Sequence, residues 1–316
     1  MQLQTKINIQ PERYNPIDYK SKVLLLGSCF TENIGKKLHY YKFQNVINPF
    51  GILFHPLAIE DLITNSINNK KYAEEDVFYL NEQWHCFEAH SKLSSSSKQE
   101  LLELLNKAAD FSFKSIQESS NIIITLGTAW VYRHIETDTI VANCHKLTQK
   151  HFNKELLSVE TVSESLEAII SLIKSVNPNV NIIFTVSPVR HLKDGFKENT
   201  LSKAHLIAGI HQVIEPRKKI HYFPSFEIMM DELRDYRFYA DDMIHPNQTA
   251  INYIWEKFRA SWVSQNAEVV MEAVNTIQKG LNHKPFNPNS EAHKQFRQNL
   301  SERIVKLQSQ FPHIIF

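Results

Sequence analysis

At 316 residues, with a formal charge of +1 at neutral pH, the chain can bury a large core without covalent staples. Its acidic and basic residues are mixed along the length, so there is no electrostatic footprint for nucleic acid or for an anionic membrane surface, and neither partner is expected. The three cysteines, Cys29, Cys86 and Cys144, are an odd set without framework spacing, which predicts a reduced compartment and no disulfide. Met1-Gln2-Leu3-Gln4-Thr5-Lys6 lacks a basic-then-apolar leader, and no apolar run approaches bilayer-spanning length, so the expectation is a soluble, cytoplasmic protein without a bound cofactor.

Residues 1–20 are polar, carry Pro11 and Pro16, and read as an extended lead-in. The apolar run 22–26 predicts a buried strand, and Gly27 then turns it into a helix over about 31–41, with Ser28 or Thr31 as cap. Residues 45–54 combine strand propensity with a Pro49-Phe50-Gly51 turn, and His55-Pro56 opens a helix to about residue 68. The aromatic stretch 72–90 is expected to form a hairpin or irregular insertion, running to about 97 at Ser94-Ser95-Ser96-Ser97. A helix over 98–119 and a second buried strand, 121–127, follow. Residues 128–157 read as a loop-rich insertion, before a helix over 158–176 and a third strand over 181–186. After a loop through Gly195 come a helix over 199–214, a strand over 220–224, short elements through 246 and a helix from Asn247 or Gln248 to Trp262. Two more helical stretches, joined by His283-Lys284-Pro285-Phe286-Asn287-Pro288, make a polar extension over 264–316 that packs on an α/β domain spanning 1–263.

Strands alternating with helices require right-handed crossovers and a mainly parallel sheet covered on both faces. The fold class is therefore a three-layer α/β/α sandwich of flavodoxin-like type. In such sheets ligands bind outside the carboxyl ends of the strands. Cys29, the Asn48 to Gly51 loop, Thr128, Arg190-His191 and the 236–246 loop all leave those ends.

Two of these segments carry recognisable chemistry. A cysteine at a strand-to-helix turn faces unpaired backbone N–H groups, and these and the helix dipole are expected to lower its thiol pKa; the alternative is a small buried hydrophobe. Asp242-Met243-Ile244-His245 sets a carboxylate three residues before a histidine, so the carboxylate can hold one ring nitrogen while the other faces outward as a general base. The alternative there is an ordinary helix-start turn.

Leu24-Leu25-Leu26-Gly27-Ser28-Cys29-Phe30-Thr31 resembles the first block of the GDSL or SGNH hydrolases, and the chain more closely resembles the GSCFA family. That resemblance also rests on Asn48-Pro49-Phe50-Gly51, Leu126-Gly127-Thr128-Ala129-Trp130, Asn143-Cys144-His145-Lys146, Ser187-Pro188-Val189-Arg190-His191 and Asp242-Met243-Ile244-His245-Pro246-Asn247. Aligning Gly27 with the glycine of Gly-Asp-Ser-Leu puts Ser28 at the aspartate position and Cys29 at the nucleophile. The resemblance implies an SGNH-like fold, a Cys29-His245-Asp242 triad and Gly51 as oxyanion glycine. In the third block, Gly-x-Asn-Asp, this chain has Gly127-Thr128-Ala129-Trp130, so the oxyanion asparagine is absent and Thr128 or Asn143 would have to replace it.

The function so implied is hydrolysis of an acyl ester or thioester on a small-molecule or glycan substrate. Acyl transfer to a sugar or amine, or silent small-ligand binding by the same fold, are the alternatives. Arg190 and His191 could clamp an anionic group or make a structural ion pair. Asn143 and His145 could contact substrate or form a packed turn. His85, Cys86, His90, Cys144 and His145 have the right atoms for zinc, but adjacent Cys-His pairs and the lack of Cys-x-x-Cys or His-x-x-x-His spacing argue against a metal.

Overall fold

The computed structural model describes residues 5–316; the first four residues of the expected lead-in and leader reading lie outside the described residues. The fold is built on β1 (Lys22–Gly27), whose Val23, Leu24, Leu25 and Leu26 are all at most 1% exposed. A strand with no wet face must be covered on both sides, and its side chains alternate between two cores. Leu24 and Leu26 enter one hydrophobic cluster, Val23 and Leu25 the other.

In chain order β1 leads into α1 (Cys29–Tyr40), β2 (Gln44–Ile47) and α2 (Pro56–Ile67). A hairpin of β3 (Phe78–Leu80) and β4 (Gln83–His85) precedes α3 (Lys98–Glu118) and β5 (Asn121–Leu126). The second insertion is β6 (Trp130–His134), β7 (Thr139–Val141) and β8 (Phe152–Leu156), followed by α4 (Val159–Val176) and β9 (Asn181–Val186). Then come α5 (Phe196–Val213), β10 (Ile220–Phe223), the short α6 (Ser225–Glu227) running into a π-helical turn at Ile228–Leu233, α7 (Gln248–Trp262), α8 (Gln265–Leu281) and α9 (Glu291–Gln310).

The main sheet has five strands in the order β10-β9-β5-β1-β2, every pair parallel. From β1 the chain first adds β2 on one side and then β5, β9 and β10 on the other, which puts the topological switch point between β1 and β5. One core layer holds Leu62 of α2, Leu105 of α3, Leu166 of α4 and Leu206 of α5. The other holds Phe30 of α1, Phe258 of α7, Met271 of α8 and Leu307 of α9, so the C-terminal helices cover a face of the sheet together with α1. This is the expected α/β sandwich with C-terminal helices. No helix among the described residues is long and apolar enough to cross a membrane.

Three expectations are corrected. The 128–157 segment is a three-stranded antiparallel sheet, order β7-β6-β8, rather than mainly loop; Trp130-Val131-Tyr132 and Thr139-Ile140-Val141 carry the β-branched and aromatic signal that a strand needs. Helix α1 starts at Cys29 rather than Thr31, with Ser28 in the N-cap position. Helix α5 starts at Phe196, directly after Gly195 with φ +106°, rather than at Asn199.

The turn after β1 tolerates only glycine. Gly27 has φ +122°, and a Cβ built there would lie 2.1 Å from the Thr125 carbonyl oxygen of the neighbouring strand. Backbone cannot retreat as a flexible side chain can, so Gly27→Ala is expected to destabilise the fold by about 3 kcal/mol or more. Urea unfolding measures it; an unchanged midpoint would contradict the reading.

Candidate active site

Cys29 is placed by hydrogen bonds that pin the turn to both neighbouring strands. Gly27 N–H donates to Asn48 Oδ1 at 2.9 Å beyond β2, and Ser28 N–H donates to Thr125 O at 3.0 Å on β5. Leu53 N–H donates to Gly27 O at 3.1 Å. The thiol thus stands at the start of α1, beside the switch point, half-buried. Burial pushes the Cys29 thiol up from the ordinary cysteine range. The nearby Lys203 and the backbone N–H groups of Cys29 and Phe30 pull it back, while Glu32 adds to the rise. The expected net depression at the helix N-terminus is therefore corrected: desolvation outweighs Lys203 and the backbone N–H groups. Ser28 is fully buried, and among the described residues its hydroxyl makes no hydrogen bond and no helix cap.

The Asp242-x-x-His245 turn is formed. Asp242 Oδ1 accepts from the backbone N–H of Ile244 at 2.9 Å and of His245 at 3.0 Å, and Oδ2 pairs with His245 Nδ1 at 2.7 Å. Met243, with φ +56°, supplies the left-handed residue that tightens the turn. These three contacts hold the Asp242 carboxyl down at about 2, the His245 N–H first among them. An ionised carboxylate only accepts, so the proton of the neutral ring sits on Nδ1 and Nε2 keeps a lone pair. The ring is half-exposed, at 50% of its side-chain surface. Among the described residues the Cys29 thiol makes no hydrogen bond to it. Arg190 N–H donates to Ile244 O at 3.2 Å, which ties the Asp242 turn to the segment after β9, and His191 lies in the field of both Lys203 and His245.

The remaining candidates divide sharply. Gly51 has φ +75°, and a Cβ there would lie 2.4 Å from His90 Cβ; its N–H donates to Asn48 O at 2.8 Å. The expectation that this N–H is free for an oxyanion is corrected: the turn consumes it. Thr128 is engaged likewise, its N–H on Phe54 O at 3.1 Å and its hydroxyl against Ser202 Oγ and the Trp130 N–H, each at 3.0 Å. Asn143 Oδ1 accepts from His145 N–H at 2.8 Å in a local turn. His145 is buried, with Nε2 2.7 Å from Cys86 O, and burial depresses its pKa to about 4. Both belong to the packing between the two insertions. Among the described residues Arg190 makes no ion pair; its guanidinium lies 3.9 Å from the Tyr239 ring centroid and 5.2 Å from that of Tyr236. His191 packs edge-on against Phe54, its Nε2 buried without a partner, and burial with Lys203 and His245 depresses its pKa to about 3.

Lys203 is the site neighbour that the sequence reading missed. It is 1% exposed, and its Nζ donates to Gly127 O at 2.6 Å and Ser187 O at 2.8 Å. A signal existed: Asn199, Ser202, Lys203, Leu206 and Ile210 form the buried stripe of α5, and a lysine at helical spacing on such a stripe is out of place.

A cavity of about 870 Å³ lies elsewhere, at the edge strand β10, lined by Ile7, Pro11, His211, Ile214, Tyr222 and Trp262. It contains none of the candidate residues. A smaller hollow of about 280 Å³ is walled by Arg190, Met229, Arg234, Tyr236 and Tyr239. Among the described residues no group of three or more His, Cys, Asp or Glu is placed to hold a metal. The zinc-type cluster uses its nitrogens internally, His85 pairing with Ser94 Oγ at 2.6 Å and Leu80 O at 3.1 Å. All three cysteines are free.

No curated protein matches the chain. Among solved structures it is similar to a carbohydrate esterase family 3 protein from Talaromyces cellulolyticus, at 10% identity and a TM-score of 0.36, covering 81% of this chain and 99% of that one. It is also similar to an acetyl esterase mutant solved with acetate ion, at 9% identity and a TM-score of 0.37, with the same coverage. The model described as GSCFA domain protein, C-terminal domain, matches residues 274–316. The model described as GSCFA family matches residues 22–258, and the chain belongs to that family.

Proposed function

We propose that the protein hydrolyses small acyl esters or thioesters through Cys29, His245 and Asp242. The observation that carries this reading is the Asp242 Oδ2 to His245 Nδ1 hydrogen bond of 2.7 Å, which leaves Nε2 bare on the loop tied to the strand ends that present Cys29. A resting thiol pushed up by burial is mostly protonated at neutral pH and needs a base when it attacks. His245 supplies one, and Asp242 stabilises the imidazolium that results.

In the reaction so proposed, Cys29 Sγ bonds to the acyl carbon as its proton passes to His245 Nε2. The oxyanion is met by the N–H groups of Cys29 and Phe30 at the start of α1. Collapse breaks the bond to the leaving group, which takes the proton from His245, and an acyl thioester remains on Cys29. Water then attacks with His245 again accepting a proton; the C–S bond breaks, the acid leaves and Cys29 regains its proton. A thioester also passes its acyl group to an amine or thiol, so product analysis with such acceptors separates transfer from hydrolysis.

One observation favours a second reading, a silent small-ligand-binding protein: the N–H groups of Gly51 and Thr128 are already bonded within the chain. One missing oxyanion donor costs about 3 kcal/mol of transition-state stabilisation. A Cys29 that resists iodoacetamide in the folded protein, together with no turnover, would select that reading.

Cys29→Ala is expected to abolish turnover of p-nitrophenyl esters and short acyl thioesters while the circular dichroism stays native. Equal turnover by both proteins would remove Cys29 from the mechanism. Asp242→Asn is expected to lower kcat by about a hundredfold or more, because an amide no longer fixes the Nδ1–H tautomer. An unchanged kcat would make the turn merely structural.

A further inference from the structure

Burying a lysine costs several kcal/mol unless its charge is compensated, and Lys203 lies deep with no carboxylate in attendance among the described residues. Its Nζ is held by Gly127 O at 2.6 Å and Ser187 O at 2.8 Å. These carbonyls follow directly on β5 and β9, the strands next in order to β1 on one side of the sheet. The amine is therefore clamped beneath the strand-end edge at which Cys29 stands. The ring of Phe226 lies 5.9 Å away.

We propose that Lys203 is a positioning residue of the site, a buried amine whose protonated form favours the Cys29 thiolate; this deepens, and rests on, the assignment of Cys29 as nucleophile. The charged and titratable groups around the pair act in both directions. Cys29 is the group whose field favours the protonated Lys203, and His191 is a base that burial first, and Lys203 second, holds below its ordinary pKa. Glu32, on the first turn of α1, opposes the thiolate, and Lys92 holds Glu32 Oε1 at 2.8 Å.

The two hydrogen bonds do not decide the charge state. A neutral amine has two N–H groups for the two carbonyls and an ammonium has a third, so Lys203 gains or loses a proton without giving up either bond. Burial brings it down to about 7, which places the change within the working range. As negative charge develops on Sγ in this low-dielectric setting, the protonated form of Lys203 stabilises it from a position the two carbonyls already fix. A purely structural Lys203 would instead tie β5 to β9 and leave the thiol's chemistry alone.

The test reads protons rather than turnover, so it succeeds or fails separately from the hydrolase assignment. The rate of iodoacetamide alkylation at the Cys29 peptide is followed by mass spectrometry against pH in the full-length protein, Lys203→Met and Lys203→Arg. Lys203→Met is expected to slow alkylation below pH 7, where the wild-type amine is charged, by about tenfold, with Lys203→Arg retaining more of the rate. Because Lys203→Met also strips two carbonyls of their donor, a second arm leaves those bonds intact: the Lys203 Cε resonance is titrated in Cys29→Ala and in Cys29→Asp, which puts a lasting anion where the thiolate would form. The aspartate is expected to move the Lys203 titration to higher pH than the alanine does, since an anion there favours the charged amine. Alkylation profiles that agree within twofold, or a Lys203 titration that is the same in Cys29→Ala and Cys29→Asp, would overturn the proposal.

Discussion

The site depends on how one turn is fastened. Gly27 and Ser28 donate to Asn48 Oδ1 and to Thr125 O, so the peptide leaving β1 is bonded to the chain beyond β2 on one side and to β5 on the other. Only a residue without a Cβ can pass that close to Thr125. The consequence is positional: Cys29 becomes the first residue of α1, with its thiol against the unpaired N–H groups of the helix start. Neither the helix nor the strand alone would put it there.

The same close packing that positions the thiol also withdraws donors from it. Asn48 folds its tight turn by taking the Gly51 N–H, and Phe54 O takes the N–H groups of Gly127 and Thr128. Backbone groups buried in a turn must find partners, and here they find them within the chain. What remains is the helix start, the oriented imidazole of His245 and the buried amine of Lys203. A thiol raised by desolvation suits general-base activation better than a resting thiolate, which is why the Asp242 and His245 pair matters more to this reading than the helix dipole.

The fold was legible because its central strands are too apolar to face water: Leu24-Leu25-Leu26, Ile122-Ile123-Ile124 and Ile182-Ile183-Phe184 can only be core, and the intervening helical patterns force parallel crossovers. The Asp242 turn was legible because its partners lie three residues apart, where local geometry settles the contact. Long-range commitments were not. Nothing in Asn48-Pro49-Phe50-Gly51 says that the turn will use up its own glycine N–H, and nothing in Arg190 says that it will lie over the rings of Tyr236 and Tyr239. Lys203 shows the limit most clearly. Its place on the buried stripe of α5 marks it as unusual, but its partners are carbonyls from two other elements, which no spacing reveals.

The central claim is that Cys29 forms an acyl thioester with His245 as base. The direct measurement is intact-protein and peptide mass spectrometry after a rapid acid quench of the protein mixed with p-nitrophenyl acetate. The account expects an acetyl adduct on the Cys29 peptide that is labile to hydroxylamine, absent in Cys29→Ala and formed much more slowly when His245 is replaced by alanine. Turnover without that adduct, or an adduct that forms equally fast without the imidazole, would contradict it.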